Sequence, residues 1–181
     1  FNQPTGIAVN AADVVYVVDS QNDRLQTFTS AGSYISTLGA GTGSGDGQFN
    51  LPFALAFDTG GVFWITDRNN HRMQQFTSGG VYSRKFGGLG SGAGNFYNPV
   101  AVALQNAGQL LITDLNNRVQ YFTSAGVFLA QFGSFGSGIG QFNQPDGLAF
   151  DTAGTLYVAD TGNHRIQQWS IQNQASATSQ T

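Results

Sequence analysis

FNQPTGIAVN, residues 1–10, opens the chain, and its first four letters return unchanged at 142–145. Between them stand FNLP at 49–52 and FYNP at 96–99. Phe1, Phe49, Phe96 and Phe142 lie 48, 47 and 46 residues apart. All four prolines of the chain, Pro4, Pro52, Pro99 and Pro145, keep that register. A fixed period of this length marks an architecture in which one supersecondary unit recurs and its neighbours bury its faces.

Within each unit the order is constant. After the proline come GIAVN, ALAFD, AVALQ and GLAFD, then a turn, then VVYVVD, VFWITD, QLLITD and TLYVAD. A polar turn leads to RLQTF, RMQQF, RVQYF and RIQQW, in which apolar and polar residues alternate as in a half-buried strand. TSAG or TSGG then precedes a fourth run: SYISTLG, VYSRKFG and VFLAQFG. Each unit therefore reads as four short strands joined as a meander, the pattern of a β-propeller blade. Composition agrees. Gly, Phe, Val, Thr, Asn and Gln are abundant, Glu is absent, and Lys85 is the only lysine, so helix formers are scarce.

The succession Pro-x-Gly-[Ile/Leu]-Ala, Tyr-Val-x-Asp, Asn-His-Arg-[Ile/Met]-Gln and Phe-Gly resembles the NHL repeat. YVADTGNHRIQQW, 157–169, is the copy nearest the pattern. The resemblance covers the chain up to about residue 171 and implies an all-β propeller. NHL propellers serve as protein-binding modules, RNA-binding modules, sensor domains and lyases, so the resemblance speaks to fold more than to function. The expected domain is 1–171, with repeats 1–48, 49–95, 96–141 and 142–171 and a polar tail at 172–181. Four blades of four-stranded antiparallel meander are expected, or an open arc of blades completed by other chains. The last blade is expected to lack its own outer strand, because SIQNQASATSQT lacks the Phe-Gly pattern of its counterparts. An unpaired edge of that kind is a template for another strand.

GAGTGSGDGQF, 39–49, looks at first like a phosphate cradle. It recurs as GGLGSGAGNF at 87–96 and GSFGSGIGQF at 133–142, each time between the last strand of one unit and the first of the next. No lysine follows in P-loop spacing, G-x-G-x-x-G is absent, and no helix follows, so the loops read as links between blades. Asp19, Asp67, Asp114 and Asp160 end the second strands. Arg24, Arg72, Arg118 and Arg165 follow four or five residues later. A device present in every repeat serves the repeat, so these eight read as blade-turn structure. His71 and His164 share one turn position, taken by Asp23 in repeat one and absent from repeat three by a one-residue deletion. Two histidines two blades apart do not make a zinc site.

Asn10, Asp58, Gln105 and Asp151 end the first strands and form a candidate polar ring at one mouth of the axial channel, of the oxygen type a Ca²⁺ ion takes. Arg68, His71, Arg72, Arg84 and Lys85 form a candidate interaction surface on repeat two. The net charge is −3, which disfavours nucleic acid. Cysteine is absent, and no run of about 18 apolar residues is present to span a membrane. The expectation from sequence is thus a non-catalytic protein-interaction or structural module. It has no catalytic residue, metal or cofactor, is extracellular or at a cell surface, and self-associates through the edge of its last blade. The alternatives are a propeller lyase or hydrolase with a metal in the axial channel, and an RNA-binding NHL domain.

Overall fold

The computed structural model describes residues 1–105, 108–172 and 176–180. Sixteen strands form four antiparallel sheets, each a meander in chain order. Blade 1 holds β1 (Pro4–Val9), β2 (Val15–Asp19), β3 (Arg24–Phe28) and β4 (Tyr34–Leu38). Blade 2 holds β5 (Pro52–Phe57), β6 (Phe63–Asp67), β7 (Arg72–Phe76) and β8 (Tyr82–Gly87). Blade 3 holds β9 (Pro99–Leu104), β10 (Leu110–Asp114), β11 (Arg118–Phe122) and β12 (Phe128–Phe132). Blade 4 holds β13 (Pro145–Phe150), β14 (Thr155–Asp160), β15 (Arg165–Gln172) and β16 (Ser176–Gln180). Each proline is the first residue of an edge strand, where its missing N–H costs no ladder bond.

Local chemistry closes each hairpin. In the outer turns Thr29, Thr77 and Thr123 accept hydrogen bonds through Oγ1 from Ser33, Val81 and Val127 N–H. The glycine before each of those residues takes positive φ. In blades 1 and 2 the antiparallel meander puts the β1–β2 type turn and the outer turn at one end of the blade. The β2–β3 type turns and the Gly-rich links lie at the other.

Hydrophobic clusters sit between blades. Tyr16, Val18 and Leu25 of blade 1 pack on Leu55, Phe63 and Phe76 of blade 2. Trp64 and Met73 of blade 2 pack on Val102, Ile112 and Phe122 of blade 3. Leu111, Val119 and Tyr121 of blade 3 pack on Leu156, Val158 and Trp169 of blade 4. Phe49, Phe96 and Phe142, at the ends of the links, are fully buried in these clusters. No such cluster joins blade 4 to blade 1 among the described residues, so the four blades form an open arc.

Blade 4 has three strands in the repeat register. In blade 1, Leu25 and Gln26 of β3 pair with Leu38 and Thr37 of β4. In blade 4 the tail strand β16 pairs instead with Gln168–Gln172, and β15 runs on past the usual five residues to meet it. Arg165, Ile166 and Gln167 have no outer partner in that ladder.

Candidate functional site

Asp19, Asp67 and Asp160 are fully buried at the link end of their blades, and each gathers the same donors. Asp67 accepts from Asn50 N–H at 2.8 Å, Asn70 Nδ2 at 2.9 Å, Arg72 Nε at 2.7 Å and Gln74 Nε2 at 3.0 Å. Asp19 and Asp160 repeat this set with Asn2, Asn22, Arg24 and Gln26, and with Asn143, Asn163, Arg165 and Gln167. Asp114 keeps Asn116 and Arg118. Burial pushes the Asp19 carboxyl up, but the four donors outweigh it and hold it at about 2. The same balance lowers Asp160. At Asp67, between two blades, burial wins and raises the carboxyl despite Asn50, Asn70 and Arg72.

The arginines continue into the Gly-rich links. Arg72 donates through Nη1 to Ser44 O at 2.6 Å and through Nη2 to Gly45 O at 2.8 Å and Gln48 O at 3.0 Å. Arg118 takes Ser91 O and Asn95 O, and Arg165 takes Ser137 O, Gly138 O and Gln141 O. The links therefore turn carbonyl oxygens toward a cation, the opposite polarity to the N–H groups of a phosphate cradle. The glutamines two residues after each arginine were missed as functional positions in the sequence. Gln74 Oε1 accepts from Gly47 N–H while its Nε2 donates to Gln48 O. Gln120 and Gln167 do the same for Gly94 with Asn95 and for Gly140 with Gln141. Their recurrence at Arg+2 was the available signal.

A second device crosses between blades. Asp23, His71 and His164 take left-handed φ at the end of the β2–β3 type turns. Asn117 takes it in blade 3, so repeat three keeps the position and its deletion falls earlier in the turn. Asp23 Oδ1 accepts from Leu51 N–H at 2.7 Å, His71 Nδ1 from Asn98 N–H at 3.1 Å, and Asn117 Oδ1 from Gln144 N–H at 2.8 Å. His71 also stacks on Tyr97.

The basic residues of repeat two, expected to form one interaction surface, occupy different surroundings. Arg72 is buried by the link and Asp67. Lys85 pairs with Asp46 at 2.8 Å. Arg68 lies over the Phe53 ring, 5.0 Å from its centroid, on the link side. Arg84 faces the opposite end of the blade, at a cavity of about 400 Å³ between blades 2 and 3. Asp58, Gln75, Thr77, Ser83 and Ser124 line that cavity with it.

The polar ring also divides. Asn10, Asp58 and Asp151 spend Oδ1 on two backbone N–H groups of their own turns. Gln105 accepts from the Tyr121 hydroxyl. Asp58 differs from the others in place: it lines the large cavity and a smaller one of about 140 Å³ shared with Gln105. Its Oδ2 accepts no hydrogen bond among the described residues. No group of three or more His, Cys, Asp or Glu converges among the described residues. With one oxygen each of Asn10, Asp58 and Asp151 committed to its own turn and Gln105 committed to Tyr121, the ring does not converge as a ligand set among the described residues. No helix is long and apolar enough to cross a membrane among the described residues.

A family model described as the NHL repeat matches residues 1–28, 49–76 and 142–169. No curated protein matches the chain. Among solved structures, a protein assigned as a gluconolactonase superposes with a TM-score of 0.77 at 17% identity, over 99% of this chain and 63% of its own. The inactive H270A virginiamycin B lyase of Staphylococcus aureus with quinupristin gives 0.71 at 16%, over 97% and 54%. A nidogen–laminin complex gives 0.75 at 22%, over 98% and 64%. The chain spans between half and two thirds of the length of these propellers, and what it shares with them is the fold. Lyases and lactonases recur among the matches. The expectation of a non-enzymatic module for structure or protein binding is corrected on that ground, and the likeness itself, below 25% identity, is one of fold.

Proposed function

We propose that this chain, a β-propeller with NHL-repeat matches in three of its four blades, forms the four-blade part of a lactone-opening enzyme. The observation that carries this reading is the cavity between blades 2 and 3, where Asp58 and Arg84 share one opening. Its volume of about 400 Å³ suits a small organic substrate. Gln75, Thr77, Ser83 and Ser124 supply hydrogen-bonding groups for a polyhydroxylated ring. The lactonases and lyases among the structural neighbours support the reaction class.

The chemistry assigned to these residues is ester hydrolysis. Asp58 is held by Gly60 and Val62 N–H through Oδ1, and Oδ2 takes a proton from water. The water oxygen bonds to the lactone carbonyl carbon, whose oxygen gains negative charge opposite the Arg84 guanidinium. The ring C–O bond then breaks, and the proton passes from Asp58 to the leaving alkoxide. Hydrolysis gives an open hydroxy acid. Within this reading the arc works with a further protein surface that covers its end blades.

The test is incubation with a panel of sugar-acid lactones at a pH where they persist, followed by NMR of the products. Catalysed appearance of the ring-opened acid supports the proposal. No conversion above the uncatalysed rate for any lactone, while the protein is folded, refutes it.

A further inference from the structure

The blade-to-blade interface is made three times within the chain, and its two halves are also present, unmade, at the ends of the arc. On blade 1, Ile7 and Val9 of β1 are 69% and 54% exposed, whereas Leu55 and Val102 at the Ile7 position are buried. Phe1 is 62% exposed where Phe49, Phe96 and Phe142 are fully buried. On blade 4, Ile166 is 64% exposed where Leu25, Met73 and Val119 are fully buried.

The polar clasp is open at the same two places. Gln3 has the left-handed φ of Leu51, Asn98 and Gln144, and His164 has that of Asp23, His71 and Asn117. Gln3 N–H finds no acceptor and His164 Nδ1 no donor among the described residues, although every interior pair is joined. Blade 1 thus presents a donor and an apolar face. Blade 4 presents the acceptor and the apolar residue that such a face meets in the interior.

The geometry points to a second copy of this chain as the occupant, docked head to tail, with blade 4 of one copy against blade 1 of the next. Ile166 and Ile7 then enter one buried cluster as Leu25 and Leu55 do, and His164 Nδ1 accepts from Gln3 N–H. This contact continues the interior interface and uses different surfaces on the two copies, so it propagates or closes a ring by rotation. The proposal rests on the reading of the chain as an assembling arc and not on the reaction assigned to it.

The experiment is sedimentation velocity of the full chain across concentration, with Ile7→Asp and Ile166→Asp alone and mixed. Both positions face solvent in the single copy, so each variant folds, which circular dichroism checks. Val9→Asp repeats the blade 1 arm. The wild type associates with rising concentration, and each variant alone remains a monomer. An equimolar mixture gives a dimer and nothing larger, because one intact face remains on each variant. A wild type that is monomeric throughout overturns the assembly and with it the partner. Association that survives both substitutions, or a mixture that stays monomeric, overturns the head-to-tail pairing alone.

Discussion

Arg72 and Arg24 hold the same place in their repeats and differ in what surrounds them. Arg72 is enclosed by Asp67 and the carbonyls of the link before its blade. Arg24 keeps its Asp19 pair, but its Nη atoms meet no link among the described residues, and its side chain is 39% exposed. Arg72→Ala leaves a buried carboxylate short of its cation and is expected to cost about 3–5 kcal/mol. Arg24→Ala is expected to cost under about 1 kcal/mol. Urea denaturation of both variants measures the difference. Gly87 and Gly32 make a second pair. Both have positive φ, but a Cβ on Gly87 falls 2.6 Å from the Phe96 ring, and one on Gly32 meets nothing within 4 Å. Gly87→Ala is expected to lower stability by about 1–3 kcal/mol beyond the effect of Gly32→Ala, in the same assay. The Asp-to-Arg spacing was legible in the sequence because it recurs in every unit. The role of Asn117 was not, because aligning letters around a deletion does not reveal which residue takes the left-handed turn.

The links and the edge strands show what an element owes to its neighbours. Phe96 ends a link and is sealed between blades 2 and 3, while Phe1 holds the same register, lies 5.6 Å from the Phe28 ring and is 62% exposed. Phe96→Ala is expected to cost about 3–5 kcal/mol, and Phe1→Ala under about half of that. Thermal or urea unfolding reads both. In blade 4 the Arg165–Gln167 segment lacks the outer partner that β8 gives to Arg72–Gln74. Its outward-pointing amides are therefore expected to exchange with deuterium faster than the matching amides of β7. The missing outer strand was visible in the sequence as the loss of the Phe-Gly pattern. The pairing of β16 with an overrun of β15 was not, because SIQNQASATSQT carries no apolar alternation from which a register is read.

At the scale of the molecule, the repeats made the blades and their order legible but left the closed ring and the open arc as alternatives. Ile7 and Leu55 look alike in sequence, and only the presence of a covering blade separates them. Acid acts first on the two end blades. Asp19 and Asp160 have carboxyls lowered by folding, so their contribution is present above the unfolded value of about 3.9 and is lost as pH falls. For Asp19 the loss runs down to about 2. With Trp64→Phe leaving Trp169 as the sole reporter, fluorescence of blade 4 is expected to change at a higher pH than the circular dichroism of the whole chain. A propeller lyase or hydrolase stood among the alternatives read from the sequence, but the distinction of Asp58 was not legible, because it has the same letter and the same turn as Asp151 and gains its place from the cavity beside it. The direct test is the initial rate of lactone opening for wild type, Asp58→Asn and Asp13→Asn. Asn10 makes in blade 1 the turn bonds that Asp58 makes in blade 2, so Asp58→Asn keeps the turn and loses only the proton acceptor. Asp13 is an exposed carboxylate in the corresponding turn of blade 1. A loss of about 100-fold or more for Asp58→Asn, with Asp13→Asn equal to wild type, is the predicted result. Equal rates for wild type and Asp58→Asn would contradict it.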